Sequence, residues 1–204
     1  MKTTFFDDKV DFFYEMEEET PFGALLDELV AWGSLPPGAV VADLGSGPGG
    51  LLRRLPEART IALDFSLPMV ERARELGHEA VQADAMEVPL RSGSVDAVFV
   101  TNVLHLVPRP GDAVRESRRV LREGGLFLAI VPGPEMGEAS LRAWLRERHG
   151  DAIAERLAGW GRSADNNRRF TREEMAALLA DAGFASSETL LRWDGRVLLA
   201  KAVR

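Results

Sequence analysis

Residues 41–50 read VADLGSGPGG. An apolar run halts at Asp43 and passes into a loop with glycine at 45, 47, 49 and 50. A short apolar run stopped by glycines predicts a buried strand, then a loop whose backbone approaches a ligand with no side chain between. Gly45, Gly47 and Gly50 satisfy G-x-G-x-x-G, which sets a nucleotide cofactor at the end of a first strand. The flanking residues argue against a dinucleotide. Asp43 would repel an anionic pyrophosphate, and Pro48 removes one backbone N–H from the cradle. A cofactor carrying positive charge is attracted by the same acid.

The pattern extends outward in both directions. Upstream, residues 7–17 are weakly patterned. Residues 21–32 read as a helix, with Thr20 as N-cap and Leu25, Leu26, Leu29 and Val30 as its apolar stripe. Strand one is AVVADL (39–44), and Gly50 to Leu55 reads as a short helix. TIALD (60–64) is strand two, and Ser66 caps a helix ending at Gly77. EAVQAD (79–84) and SVDAVFVT (94–101) are strands three and four. A helix over 111–125 leads into LFLAIV (126–131), strand five. Continuous apolar strands alternating with helices predict a doubly wound α/β fold, a parallel sheet covered on both faces.

The C-terminal third changes style. Residues 137–160 hold two short amphipathic helices. Thr171 and Glu174 form a capping box, and strands over 187–193 and 196–203, joined by Asp194-Gly195, read as a hairpin. One domain over 1–204 is expected, with a helical segment over 1–36 and a helical insertion over 133–170 as a candidate lid.

Composition narrows the function classes. The 204 residues are 46% hydrophobic and 28% charged, a globular balance. No apolar run approaches the length of a membrane span, and the acidic N-terminus does not read as a signal peptide. Cysteine is absent, which removes disulfides, thiolate metal sites and a cysteine nucleophile, and suits a cytoplasmic protein. No metal-ligand set is read. A net charge of −7 disfavours a nucleic-acid partner.

The motifs DLGSGPG, LDFSLPMVERA, QADAMEVPL, SVDAVFVTNVLHLV and RESRRVLREGGLFLAI follow one another in the chain. In that order and spacing they resemble the class I S-adenosylmethionine-dependent methyltransferases, nearest the small-molecule, quinone-biosynthesis-like group. The resemblance covers residues 36–131 closely and 170–203 loosely. It implies a Rossmann-like seven-stranded sheet with an antiparallel last strand, and S-adenosylmethionine as cofactor. It puts Gly45, Ser46 and Gly47 at the methionine end, Asp64 at the ribose and Asp84 at the adenine amino group. Phe65 and Met69 go to the adenine, with a backbone N–H from Ala85, and Met86 is a further cofactor contact. Thr101 or Asn102 offers a carbonyl to the ammonium, and Tyr14 is a contact from a segment that folds over the cofactor. Asp43 stands beside the methionine end, as the charge argument requires.

Methyl transfer from a sulfonium is an in-line displacement that needs alignment and exclusion of water, and a base only if the nucleophile arrives protonated. His105, just after strand four, is the candidate general base, set against a histidine that only packs there. The expected acceptor is a small molecule, its N, O or C nucleophile unspecified. An RNA or protein acceptor, or a non-catalytic cofactor-binding domain, are the alternatives. Residues Thr101-Asn102-Val103-Leu104 replace the N-P-P-Y-like tetrad of amino-methylating DNA enzymes.

Overall fold

The computed structural model describes residues 7–204. Residues 1–6, part of the stretch read against a signal peptide and of the N-terminal segment, lie outside it.

Seven strands form one sheet in the order β3-β2-β1-β4-β5-β7-β6. Strands β1 (Val40–Leu44), β2 (Arg59–Asp64), β3 (Glu79–Gln82), β4 (Val95–Thr101) and β5 (Leu121–Pro132) are parallel. β6 (Ser186–Arg192) and β7 (Val197–Val203) form the expected hairpin, and β7 runs antiparallel to β5. Trp193 and Asp194 both take positive φ (52° and 50°) at the turn, the handedness a tight hairpin needs. The strand order reverses at β1/β4, where a doubly wound sheet opens a crevice at the C-terminal ends of its strands.

The helices cover both faces. Helices α1 (Val10–Glu19), α2 (Phe22–Gly33), α3 (Leu67–Glu75) and α5 (Glu138–Asn166) pack on one; α4 (Pro110–Val120) and α6 (Arg172–Asp181) pack on the other. Strand periodicity sorts β1 between them. Val41 joins the α1–α2 layer, and Ala42 and Leu44 join the α4–α6 layer. Asp43 therefore faces the α1–α2 side. Asp64 and Thr101 fall on that side too, because Ala62 and Phe99, two residues before them, do.

Three local expectations need correction. Gly50 to Leu55 is no α-helix, only a 3-10 turn over Leu52–Arg54. The Arg54 side chain donates to Gly50 O (2.7 Å) and to Glu17 O (2.9 Å), so the carbonyl that would start a helix is already engaged. Two adjacent glycines add to the effect. The glycine loop is thus not backed by a helix dipole. Ser66 sits at the N-cap of α3, but its hydroxyl donates to Asp7 Oδ1 (2.6 Å) instead of capping. Helix α4 ends at Val120, and β5 starts at Leu121 with an irregular register before Leu126. Asp96 accepts from Val40 N (2.7 Å) and pairs with Arg122, which fixes the start of β1 outside the site.

The 137–160 segment is two helices in one run, hinged where Gly150 leaves helical geometry (φ 83°, ψ 173°). Its buried face carries Leu141, Leu145, Ala154, Leu157 and Trp160, and Trp160 meets Phe22 of α2 edge-on at 5.2 Å. Trp144 stacks on Trp193 at 5.1 Å, so both tryptophans pack within the fold.

The capping box at α6 is complete. Glu174 N donates to Thr171 Oγ1 (3.2 Å), and Thr171 N donates to Glu174 Oε2 (2.9 Å). Thr171→Ala should cost about 1 kcal/mol, a drop in Tm of roughly 2–4 °C for a chain of this size. Denaturant unfolding of the variant at unchanged m-value checks it, and an unaltered midpoint would count against the cap.

Candidate active site

Asp64 ends β2 and fastens the glycine loop. Gly47 N donates to its Oδ2 (2.9 Å) and Ser66 N to its Oδ1 (2.8 Å). Gly45 N and Ser46 N both donate to Leu63 O (2.7 and 3.1 Å). Gly45 takes φ 75°, and a Cβ there would collide with Val103 after β4. The loop is therefore clamped to β2 on one side and fits against the β4 loop on the other. Burial raises the Asp64 carboxyl, and the N–H groups of Ser66 and Gly47 oppose that rise.

Asp43 contrasts with it. Its side chain is 0% exposed, and neither carboxylate oxygen has a hydrogen-bond partner. Burial, with the nearby Asp64 charge adding, pushes its pKa up to about 8. Asn102 follows β4 at a positive φ of 58°, with its Oδ1 also buried and unpartnered. Three buried acceptor oxygens are thus left facing a common edge, which suits a ligand bearing donors or positive charge and opposes an anion.

Sequence reasoning missed the fourth. Glu17 of α1 is 9% exposed, with Oε2 buried and unpartnered, and its side chain lies against Gly47 and Gly50. Burial raises it to about 8; Arg53 opposes, Asp43 adds, and Arg54 opposes. A signal was present: with Phe13, Met16 and Thr20, Glu17 falls at the 13-16-17-20 spacing of one helix face.

The remaining expected residues divide. Tyr14 lies under Arg53 (4.7 Å to the ring centre) and near Arg72 (5.6 Å), close to the loop. Ser46 is buried, with its hydroxyl at 3.4 Å from Gly47 O. Asp84 accepts from Met86 N (2.8 Å) in an Asx turn beyond β3, so one oxygen is engaged locally. Phe65, Ala85, Met86 and Thr101 are half-buried around the same edge, whereas Met69 is fully buried inside α3. His105 is 5% exposed, its Nε2 lies 3.3 Å from Ser163 Oγ on α5, and its Nδ1 is buried without a partner. Burial lowers its pKa to about 3. Ser163 had no distinguishing sequence signal.

The two raised carboxyls make stability depend on pH. Their folded pKa values stand above the ordinary values of 3.8 and 4.5, so the folded state holds these protons more tightly. That contribution is complete below about pH 4 and disappears as pH rises through about 8. Without ligand, Asp43→Asn should melt with the native chain at pH 3.5 and above it, by a growing margin, up to pH 8.5. Each 1 kcal/mol released there is worth roughly 2–4 °C. Melting curves offset equally at both pH values would contradict the buried-charge account.

The comparisons agree with this architecture. Residues 42–129 match a methyltransferase domain family. The mouse tRNA (carboxymethyluridine(34)-5-O)-methyltransferase ALKBH8 is 35% identical over 121 residues, 58% of this chain and 18% of its own. The malonyl-[acyl-carrier protein] O-methyltransferase of Legionella pneumophila is 31% identical over 113 residues, 51% of this chain and 40% of its own. The chain thus spans less than half the length of both relatives. A SAM-dependent methyltransferase of Thermotoga maritima shares the fold with a TM-score of 0.67 at 20% identity, over 97% of each chain. Residues 42–129 are thus a methyltransferase domain with S-adenosylmethionine as its cofactor, and the glycine loop, the strand-end carboxylates and the 3-2-1-4-5-7-6 sheet agree with that.

Proposed function

We propose that this chain transfers the methyl group of S-adenosylmethionine to a carboxylate oxygen of a small acceptor. The observation that carries the reading is the state of His105. Its conjugate acid is too strong for the neutral ring to serve as an effective base, and one ring nitrogen already engages Ser163. A nucleophile at this edge must then arrive deprotonated, and a carboxylate does so at neutral pH. The names of both relatives above specify methylation at oxygen, one on a carboxymethyl group and one on a malonyl group, which supports the same acceptor chemistry.

The residues divide the work. Asp64 has lone pairs left for the ribose hydroxyls after its two backbone bonds. Asp84, the Ala85 N–H, Phe65, Met69 and Met86 serve the adenine. Gly45, Ser46, Gly47, Thr101, Asn102 and Asp43 receive the methionine end, and Tyr14 closes over it from α1. When bound, the cofactor supplies a methyl group on a sulfonium, a good leaving group that departs as a neutral thioether. His105, through Ser163, positions α5 against the β4 edge rather than moving a proton. Helices α1 and α5 meet over this side through Arg156, which pairs with Glu19 (2.7 Å) and Glu15 (3.5 Å). Together they exclude water from the reacting atoms.

An RNA acceptor is the second reading, favoured by the tRNA enzyme among the relatives and opposed by the net charge of −7. One experiment separates the two. The chain is incubated with methyl-labelled cofactor and, in turn, small di- and tricarboxylic acids, malonyl thioesters and bulk tRNA. A methyl ester on a small acid releases labelled methanol in mild alkali and resists ribonuclease. Alkali-stable label would overturn methylation at a carboxylate; ribonuclease-sensitive label would move the acceptor to tRNA.

His105→Gln tests the absence of a base. Loss of a general base lowers kcat by about a hundredfold or more. A positioning histidine should leave kcat within about tenfold, raise KM, and leave the pH–rate profile unshifted. A large fall in kcat at constant KM would restore His105 as the base.

A further inference from the structure

The end of α1 is held on the glycine loop by a two-sided clamp. Arg54 donates to the backbone oxygens of Glu17 (2.9 Å) and Gly50 (2.7 Å) and pairs with Glu18 (3.1 Å) and Asp27 (2.8 Å). Held there, the Glu17 side chain reaches across Gly50, where an added Cβ would collide with it. Its nearest cationic partner is Arg53 at 3.9 Å, and Arg53 gives its close contact to Glu18 at 2.8 Å. On the sheet side lies Asp43, unpartnered at both oxygens, with Asp64 beyond it. Asp7, bonded to Ser66, adds a fourth carboxylate near Asp64. Four carboxyls thus share one arginine, and burial keeps Glu17 and Asp43 in their protonated form while no cation compensates them.

A buried carboxyl gives up its proton only when a partner of opposite sign compensates the charge it takes on. The cofactor and its product differ in this respect: S-adenosylmethionine carries a sulfonium, and S-adenosylhomocysteine carries a neutral thioether in its place. We propose that Glu17 is the specificity residue that reads this charge, so that α1 closes more firmly over the methylated donor than over the spent product. Departure of the methyl group removes the positive charge, leaves Glu17 and Asp43 facing each other again, and loosens α1 for product exchange. The inference rests on the cofactor and not on the identity of the acceptor.

Glu17→Gln keeps the shape and removes the charge. Calorimetric Kd values for S-adenosylmethionine and S-adenosylhomocysteine should show their ratio shifted by roughly tenfold or more against the donor, with product affinity nearly unchanged. Equal weakening of both ligands would reduce Glu17 to a structural contact and overturn the proposal. A second measurement uses the unaltered chain. Titration at pH 7 in two buffers of different ionisation enthalpy counts protons released on binding. The donor should release more protons than the product, because a cation drives the protonated carboxyls to ionise. Equal release for the two ligands would also overturn it. Failure of the native chain to bind either ligand would instead remove the cofactor assignment.

Discussion

The Asp64 carboxylate is the bond on which the site depends. It accepts from Gly47 and Ser66 at once, so the same side chain fixes the glycine loop after β1 and the first turn of α3 after β2. Charge-assisted bonds of this kind are about twice as strong as neutral ones. No helix dipole backs the loop here, because residues Leu52–Arg54 form only a 3-10 turn. The loop's shape is therefore set from the neighbouring strand, and the cradle is built before any ligand reaches it.

Two aspartates at adjacent strand ends show how environment separates roles. Asp64 is supplied with backbone donors and serves the structure even when free of ligand. Asp43, on the same side of the sheet, receives none and is held near neutrality by burial. The first is spent on architecture and the second is left in reserve for a cationic guest. Glu17 repeats the pattern of Asp43 from the opposite wall, on a helix distant in sequence.

The sheet and its cofactor edge were legible because they rest on local signals. Strands stop at glycine or acid, and alternation along β1, β2 and β4 decides which side Asp43, Asp64 and Thr101 face. What failed to show depended on contacts between distant segments. The propensity of LLRR suggested a helix, but the Arg54 side chain captured Gly50 O first. Ser66 had the sequence of a cap, yet Asp7 took its hydroxyl. Glu17 sits among three consecutive glutamates and reads as a solvated acid, although its helix face already pointed inward. Its burial comes from Arg54, across 37 residues of chain. The partnership of His105 with Ser163 likewise joins a loop to an inserted helix, and no periodicity encodes that.

The position of β7 has a consequence for how the sheet meets other chains. It lies between β5 and β6, paired antiparallel to both, with Leu126 opposite Val203. β6 and β7 are neighbours in sequence, whereas β5 and β7 are separated by the kinked helix pair, α6 and β6. The hairpin turns what would be the edge of β5 into the interior of the sheet. Without it, β5 would present a long unpaired edge, the kind of surface that recruits other chains. The hairpin thus shields the cofactor half of the sheet from association as well as completing it.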